Sequence, residues 1–198
     1  VVAAARWIAA PAVLVAAALP LASLPSLLTP ASALASGAKT SHSCAYANLR
    51  PTSADTAIVD GATLCLIEEV RAAYRLRSLR SNRELQSVAH HQVSDMVRED
   101  YFSDDSPSGQ TAGTLIAALP YGANATSLAT AQNLGWGTRS AATPAGIVAA
   151  WMRSPAHRQV ILTGPFRDVG VGVSPAVPSI LGHGARGATY AVEFAVRG

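Results

Sequence analysis

Cysteine, lysine and net charge are all scarce in this chain, and each shortage closes off a class of explanation. There are two cysteines in 198 residues, with no Cys-x-x-Cys spacing and no histidine couple beside them. That excludes a zinc ribbon or a dense disulfide framework as the basis of folding. A single lysine stands against fourteen arginines, and alanine is abundant; this bias reflects a GC-rich bacterial genome and carries no message about fold. The formal charge is only +3, and the arginines are scattered instead of clustering with aromatics, so no nucleic-acid partner is expected. No internal repeat is visible. What the chain does have is apolar mass, with 49% of its residues hydrophobic. This suffices for one domain of about 150 residues, burying roughly 70% of its unfolded surface.

The N-terminal residues read as an export signal. Arg6 supplies a positive n-region, Trp7 to Leu28 carries no charge, and Ala31-Ser32-Ala33-Leu34-Ala35 offers small residues at signal-peptidase spacing. Residues 1–35 are therefore expected to be a signal peptide. The alternative is a retained anchor, which Pro11, Pro20 and Pro25 disfavour because each removes a backbone donor from a spanning helix. Residues 36–57 form a Ser/Ala-rich tail containing Cys44, while Cys65 sits in a helical pattern. A Cys44–Cys65 bridge would tie the tail to the domain in an oxidising compartment; two free thiols are the alternative.

From residue 58 onward the pattern is helical first and extended later. Asp60 is positioned to cap a helix with Leu64, Ile67, Val70 and Tyr74 on its apolar face, leaving Glu68, Glu69 and Arg71 to solvent. Ser81 and Glu84 form a capping box before Leu85, Val88, Ala89, Val93 and Met96. A third helix is expected over Gly109 to Leu119, ended by Pro120 and Gly122. Thr143-Pro144 and Ser154-Pro155 each place a cap before a proline at the first helical position, and the second of these helices carries His157. Asp168 to Val173 and Thr189 to Val196 alternate as strands, joined by a long, flexible Pro/Gly-rich link. Helices followed by strands imply an α+β fold with an antiparallel sheet.

Five segments in this order resemble the bacterial, SCP-like branch of the CAP superfamily (cysteine-rich secretory, antigen 5 and pathogenesis-related proteins). They are Leu66 to Arg71; Leu85 through Met96; Tyr101-Phe102-Ser103-Asp104 with Pro107 and Gly109; Gln132-Asn133-Leu134 with Gly137; and Trp151 to Arg158, leading to Val169-Gly170-Val171-Gly172. The resemblance covers about residues 60 to 198 and implies that residues 58–198 form a three-layer α-β-α sandwich around a central antiparallel sheet. It also implies a concave site, which in the family is lined by two histidines and acidic residues that hold a divalent metal and orient a water.

That site is altered here. Asp104 stands at one histidine position, Gln132 at a glutamate position and Ser154 at the place of a second glutamate, while His157 retains the other histidine. The cleft positions implied as catalytic are thus His157, Asp104 and Gln132, with Asn133, Ser154 and Arg158 as binding residues. Zinc favours two imidazoles and a carboxylate, so His157 and Asp104 alone, with a weak amide oxygen from Gln132, should hold it poorly. Gln132 cannot take up a proton near neutral pH. No cofactor is expected, with weak zinc or another divalent metal on His157 and Asp104 as the alternative. Structural roles remain open for the same residues: His157 as a packing group, Asp104 and Asp105 closing an Asx-turn, and Asn133 bonding to backbone. His90 and His91 point about 100° apart on their helix and cannot share a metal. His91 with Asp95 has a one-turn spacing that more often marks a solvated face, and His42 and His183 lie in loops.

The leading expectation is a secreted or cell-envelope binding module with a degenerate metal and catalytic cleft, for a lipid, peptide or cell-wall glycan. Membrane association would come only through the export signal. The first alternative is a metal-assisted, peptidase-like hydrolase using His157 and Asp104. The second is a structural envelope protein whose tail from Ser36 to Pro51 engages a partner.

Overall fold

A computed structural model describes residues 44–198; the expected signal peptide, most of the Ser/Ala-rich tail and His42 lie outside the described residues. In chain order the elements are α1 (Thr56–Ala73), β1 (Arg80–Ser81), α2 (Arg83–Arg98), α3 (Ala112–Ala118), α4 (Pro120–Ala123), β2 (Leu128–Thr138), α5 (Pro144–Arg153), α6 (Pro155–Ile161), β3 (Asp168–Ser174), α7 (Ser179–Gly182) and β4 (Gly187–Arg197). The four strands form one sheet in the order β1-β3-β4-β2. Its long pairings, β3 with β4 and β2 with β4, are antiparallel, and only the two-residue β1 lies parallel to β3. Helices cover both faces, which is the α+β, α-β-α sandwich.

The alternation in the last two strands explains how the layers stack. Val169, Val171 and Val173 join Tyr190, Val192 and Phe194 in the main core, where Leu66 and Ile67 of α1 and Trp151 of α5 pack. Ala191 and Ala195 turn to the opposite face, toward α2. There Gly170 and Gly172 let the helix lie directly on β3: a Cβ on Gly170 would fall 2.1 Å from the Leu85 carbonyl carbon, and one on Gly172 2.4 Å from that of Ala89. Valine on one side and glycine on the other thus encode a thick layer and a thin one.

Several local expectations need correction. Asp60 is not a cap; α1 begins at Thr56, and Asp60 is buried one turn inside, with Oδ2 2.8 Å from His90 Nε2. Arg71 does not face solvent. It is fully buried and donates to the carbonyls of Arg77, Ile161 and Thr163, joining the end of α1 to the end of α6. The cap of α2 is Asn82, whose side chain accepts from the amides of Glu84 and Leu85, because Ser81 is engaged in β1. Glu84 instead accepts from the Tyr121 amide. The third helix starts at Ala112 behind a Thr111–Thr114 capping box, and Pro120 opens a further short turn, α4, after ending α3. The link between β3 and β4 is not wholly irregular, since it contains α7 and Thr189 Oγ1 donates to the Ala176 carbonyl. The 11-residue β2 has no counterpart in the strand pattern read from the sequence.

Cys44 and Cys65 form a disulfide with an S–S distance of 2.04 Å. It fastens the segment before α1 to the middle of that helix. The Ala145 amide also donates to the Ala47 carbonyl, so this segment is held by α5 as well.

Candidate functional site

Strand register determines which side chains share a face. Gln132 of β2 lies opposite Glu193 of β4, and both point to the side of the sheet that carries α2 and α3. Gln132 Nε2 donates to Glu193 Oε1 at 2.5 Å. Beside this pair the chain opens a cavity of about 280 Å³ lined by Asp104, Thr111, Gly113, Thr130, Gln132 and Glu193 among others. The N-terminal end of α3 forms one wall, and Gly113 keeps it close to β2, since a Cβ there would sit 3.2 Å from Thr130 Oγ1.

Glu193 is the residue that sequence reasoning missed. It is 1% exposed, and burial pushes its carboxyl up to about 8; the nearby negative Asp104 adds to this, and the Gln132 hydrogen bond only partly opposes it. A carboxyl with that value is mostly protonated at neutral pH. The site therefore has an acid, but on β4 instead of β2, and held neutral.

The other expected site residues are placed on the edge of the sheet toward α5 and α6. Asn133, adjacent to Gln132 on β2, points to the opposite face and donates from Nδ2 to the backbone carbonyl of His157 at 3.0 Å. Its Oδ1 is buried without a hydrogen-bond partner. His157 sits on the first turn of α6 with Nδ1 2.8 Å from Ser154 Oγ. Burial lowers its pKa, with a smaller opposing effect from the Asp104 charge, so the imidazole is neutral at neutral pH. Asp104 is near enough to act on both His157 and Glu193 electrostatically. Arg158 turns away from the cleft and donates to Tyr74 Oη, its guanidinium lying 5.6 Å from the ring centre. His91 and Asp95 do not form a pair: the Asp95 carboxylate is taken by Arg98 and by Tyr101 Oη.

A metal does not fit this arrangement. Three ligands must converge on one point for tetrahedral zinc. Among the described residues the only group of three acidic, histidine or cysteine ligand atoms within 4.8 Å of one another is Cys44, Cys65 and Glu69. Its two sulfurs are joined in the disulfide, so they are not thiolates. At the cleft one imidazole nitrogen is engaged by Ser154, and Gln132 and Glu193 are engaged with each other. What the arrangement offers is a small polar pocket lined by Asp104, Thr130, Gln132 and Glu193, with His157 outside its lining.

Comparisons with known proteins agree with this architecture. No curated protein matches the chain. Among solved structures, an outer surface protein from Borrelia burgdorferi superposes with a TM-score of 0.56 at 18% identity, over 68% of this chain and 90% of that one. An extracellular protein of Bacillus anthracis containing an SCP domain gives 0.56 at 21% identity, and a cysteine-rich secretory protein of Staphylococcus aureus gives 0.54 at 18%. These two alignments take in 75% and 73% of this chain but only 44% and 40% of the longer relatives. At such identities the likeness is one of fold. The model of the CAP family, described as the cysteine-rich secretory protein family, matches residues 64–177, a span from mid-α1 to the end of β3. This chain belongs to the CAP family.

Proposed function

We propose that the protein is a secreted or cell-envelope binding module that uses the cleft between α3 and β2 to hold a ligand and does not carry out metal-assisted hydrolysis. The observation that carries this reading is the Gln132–Glu193 pair, in which an amide N–H is bonded to Oε1 of the one buried carboxyl in the pocket. A buried, protonated carboxyl bound to an amide is a recognition element and a poor base. The outer-surface and extracellular descriptions of the Borrelia and Bacillus relatives support the location, as does the disulfide. No described helix is long and apolar enough to cross a membrane.

Calorimetric titration of the protein with zinc chloride at neutral pH tests the reading. The expected result is no saturable, stoichiometric heat. Tight binding that disappears in His157→Ala would overturn the proposal and restore the hydrolase alternative on His157 and Asp104.

A further inference from the structure

We infer that a second pocket, walled by the end of α5 and by α6, binds the phosphate monoester group of a ligand whose remaining body is apolar. The site is separate from the pocket between α3 and β2, and no residue lines both.

Arginines that are spread along the sequence are gathered here by the fold. The cavity measures about 470 Å³; Arg153, Arg158, Gln159 and Thr163 form its polar wall, and Met152, Pro155 and Leu162 its apolar one. A third guanidinium lies behind the wall, since the fully buried Arg71 donates to the Thr163 carbonyl at 3.1 Å. Of the charged groups acting on Arg71, Arg167 adds positive charge and Glu68 negative charge; Glu68 accepts from the Leu79 amide and does not line the pocket. The ion pairs among the described residues involve Arg80, His90 and Arg98, so neither Arg153 nor Arg158 has an acidic partner there. Arg158 is nevertheless held in place. It donates through Nη2 to Tyr74 Oη at 2.6 Å, and its guanidinium lies 5.6 Å from that ring's centre. Both contacts are to an aromatic side chain and not to a carboxylate, so the group is oriented without being neutralised.

The charge lining the pocket is therefore positive. Gln159 and Thr163, its other polar side chains, are neutral groups that set no preference of sign. A phosphate monoester carries about −1.5 to −2 charges at pH 7 on three strong acceptor oxygens, which lets it bond two guanidinium forks at once. A carboxylate brings a single charge and two oxygens, so it can satisfy one fork fully and leaves the second poorly matched. The apolar wall sets the rest of the ligand. Inorganic phosphate would leave Met152, Pro155 and Leu162 facing water, whereas an ester with several methylenes covers them and gains from that burial. The volume suits a phosphate group with a short apolar body.

The test follows the backbone amides of the full chain in nitrogen–proton correlation spectra while n-hexyl phosphate, n-hexanoate, n-hexanol or inorganic phosphate is added at constant pH and ionic strength. The expected result is saturable movement of the Gln159, Leu162 and Thr163 amides with n-hexyl phosphate, about tenfold tighter than with hexanoate or inorganic phosphate. Arg153→Gln, an exposed change at a side chain with no acidic partner among the described residues, should weaken that binding about tenfold by removing a charge-assisted hydrogen bond. Arg158→Gln should do the same, with a thermal melt run alongside to show that the variant is folded. Phosphatidylcholine vesicles containing phosphatidic acid present the same ester in a membrane. Sedimentation with them that is lost in Arg153→Gln assigns the group to a lipid head, and no sedimentation assigns it to a soluble ester. An equal response to hexanol, equal affinity for hexanoate or inorganic phosphate, no saturable shift, or unchanged affinity in Arg153→Gln would each overturn the inference. Zinc titration reads the other pocket, so the failure of either proposal leaves the other standing.

Discussion

The two faces of the sheet use their polar atoms in opposite ways. On the face under α1 and α5, Trp151 Nε1 donates to the Leu134 carbonyl and Tyr190 Oη to the Ala142 carbonyl, so large side chains fill the core and their polar ends close onto backbone. On the face under α2 and α3, β4 places the small side chains of Ala191 and Ala195 either side of Glu193, whose Oε1 accepts from Gln132. The first face is filled by large side chains, with Asn133 Oδ1 left buried there without a partner; the second opens onto the pocket beside Glu193. The cleft's own residues divide along the same line. Asn133 and His157 are bound into the α6 side, whereas Asp104, Gln132 and Glu193 line the open pocket. A histidine retained from a family pattern can thus be held by structure while the acid that matters has changed strands.

The comparison breaks most visibly if the filled face is damaged. Trp151→Ala removes a fully buried ring that lies 3.0 Å from where a Gly135 Cβ would be. It should cost about 3–5 kcal/mol in denaturant unfolding. Replacing both Cys44 and Cys65 with serine opens a loop of sequence separation 21 and should cost up to about 3 kcal/mol; equal midpoints for the oxidised and serine forms would contradict that tether.

On the open face the informative change is a swap. Gln132→Glu places a second carboxyl against Glu193 and removes the amide donor, so it should destabilise by about 1–3 kcal/mol. Adding Glu193→Gln to it rebuilds the same amide–carboxyl pair in reverse and should recover most of the loss in a double-mutant cycle. Asp104→Asn, on the exposed rim, should change stability by about 0.5 kcal/mol or less while affecting ligand binding. A large stability loss there would mean that Asp104 is a structural residue of its loop.

The pH dependence of stability sharpens the contrast further. In the unfolded chain Glu193 ionises near its ordinary 4.5, and in the folded protein near 8. Between these values the folded state holds a proton that the unfolded state has lost, so stability falls as pH rises through that window and levels off above it. Glu193→Gln should remove this slope. The His90–Asp60 pair slopes the same way, because the folded-state His90 pKa is raised chiefly by its hydrogen bond to Asp60; comparing wild type with Glu193→Gln cancels that contribution.

Much of the fold could be read before any coordinates. The three- and four-residue apolar spacing of α2 and α5, and the Val/Gly and Tyr/Val/Phe alternations of β3 and β4, state both the element and its buried side. β2 was illegible as a strand because Ala131, Gln132, Asn133, Gly135 and Gly137 show no apolar alternation; it is an edge strand defined by pairing with β4. Glu193 was hidden for a related reason. With Tyr190, Val192 and Phe194 marking the core face, the residues between them read as solvent-facing, although Ala191 and Ala195 are small because α2 lies over them. A glutamate flanked by two such alanines was the available signal. Arg71 misled in the same manner, since an arginine in a helix reads as exposed until three carbonyls from distant turns are seen to converge on it.

The most direct measurement of the central claim is the ionisation of the Glu193 side chain itself, followed through its carboxyl carbon in a carbon-13 NMR titration and assigned by its absence in Glu193→Gln. A midpoint near 8, with the carboxyl protonated at neutral pH, is the result this account predicts. A midpoint near the ordinary 4.5 would contradict it, because the cleft would then hold an ionised base able to attract a metal.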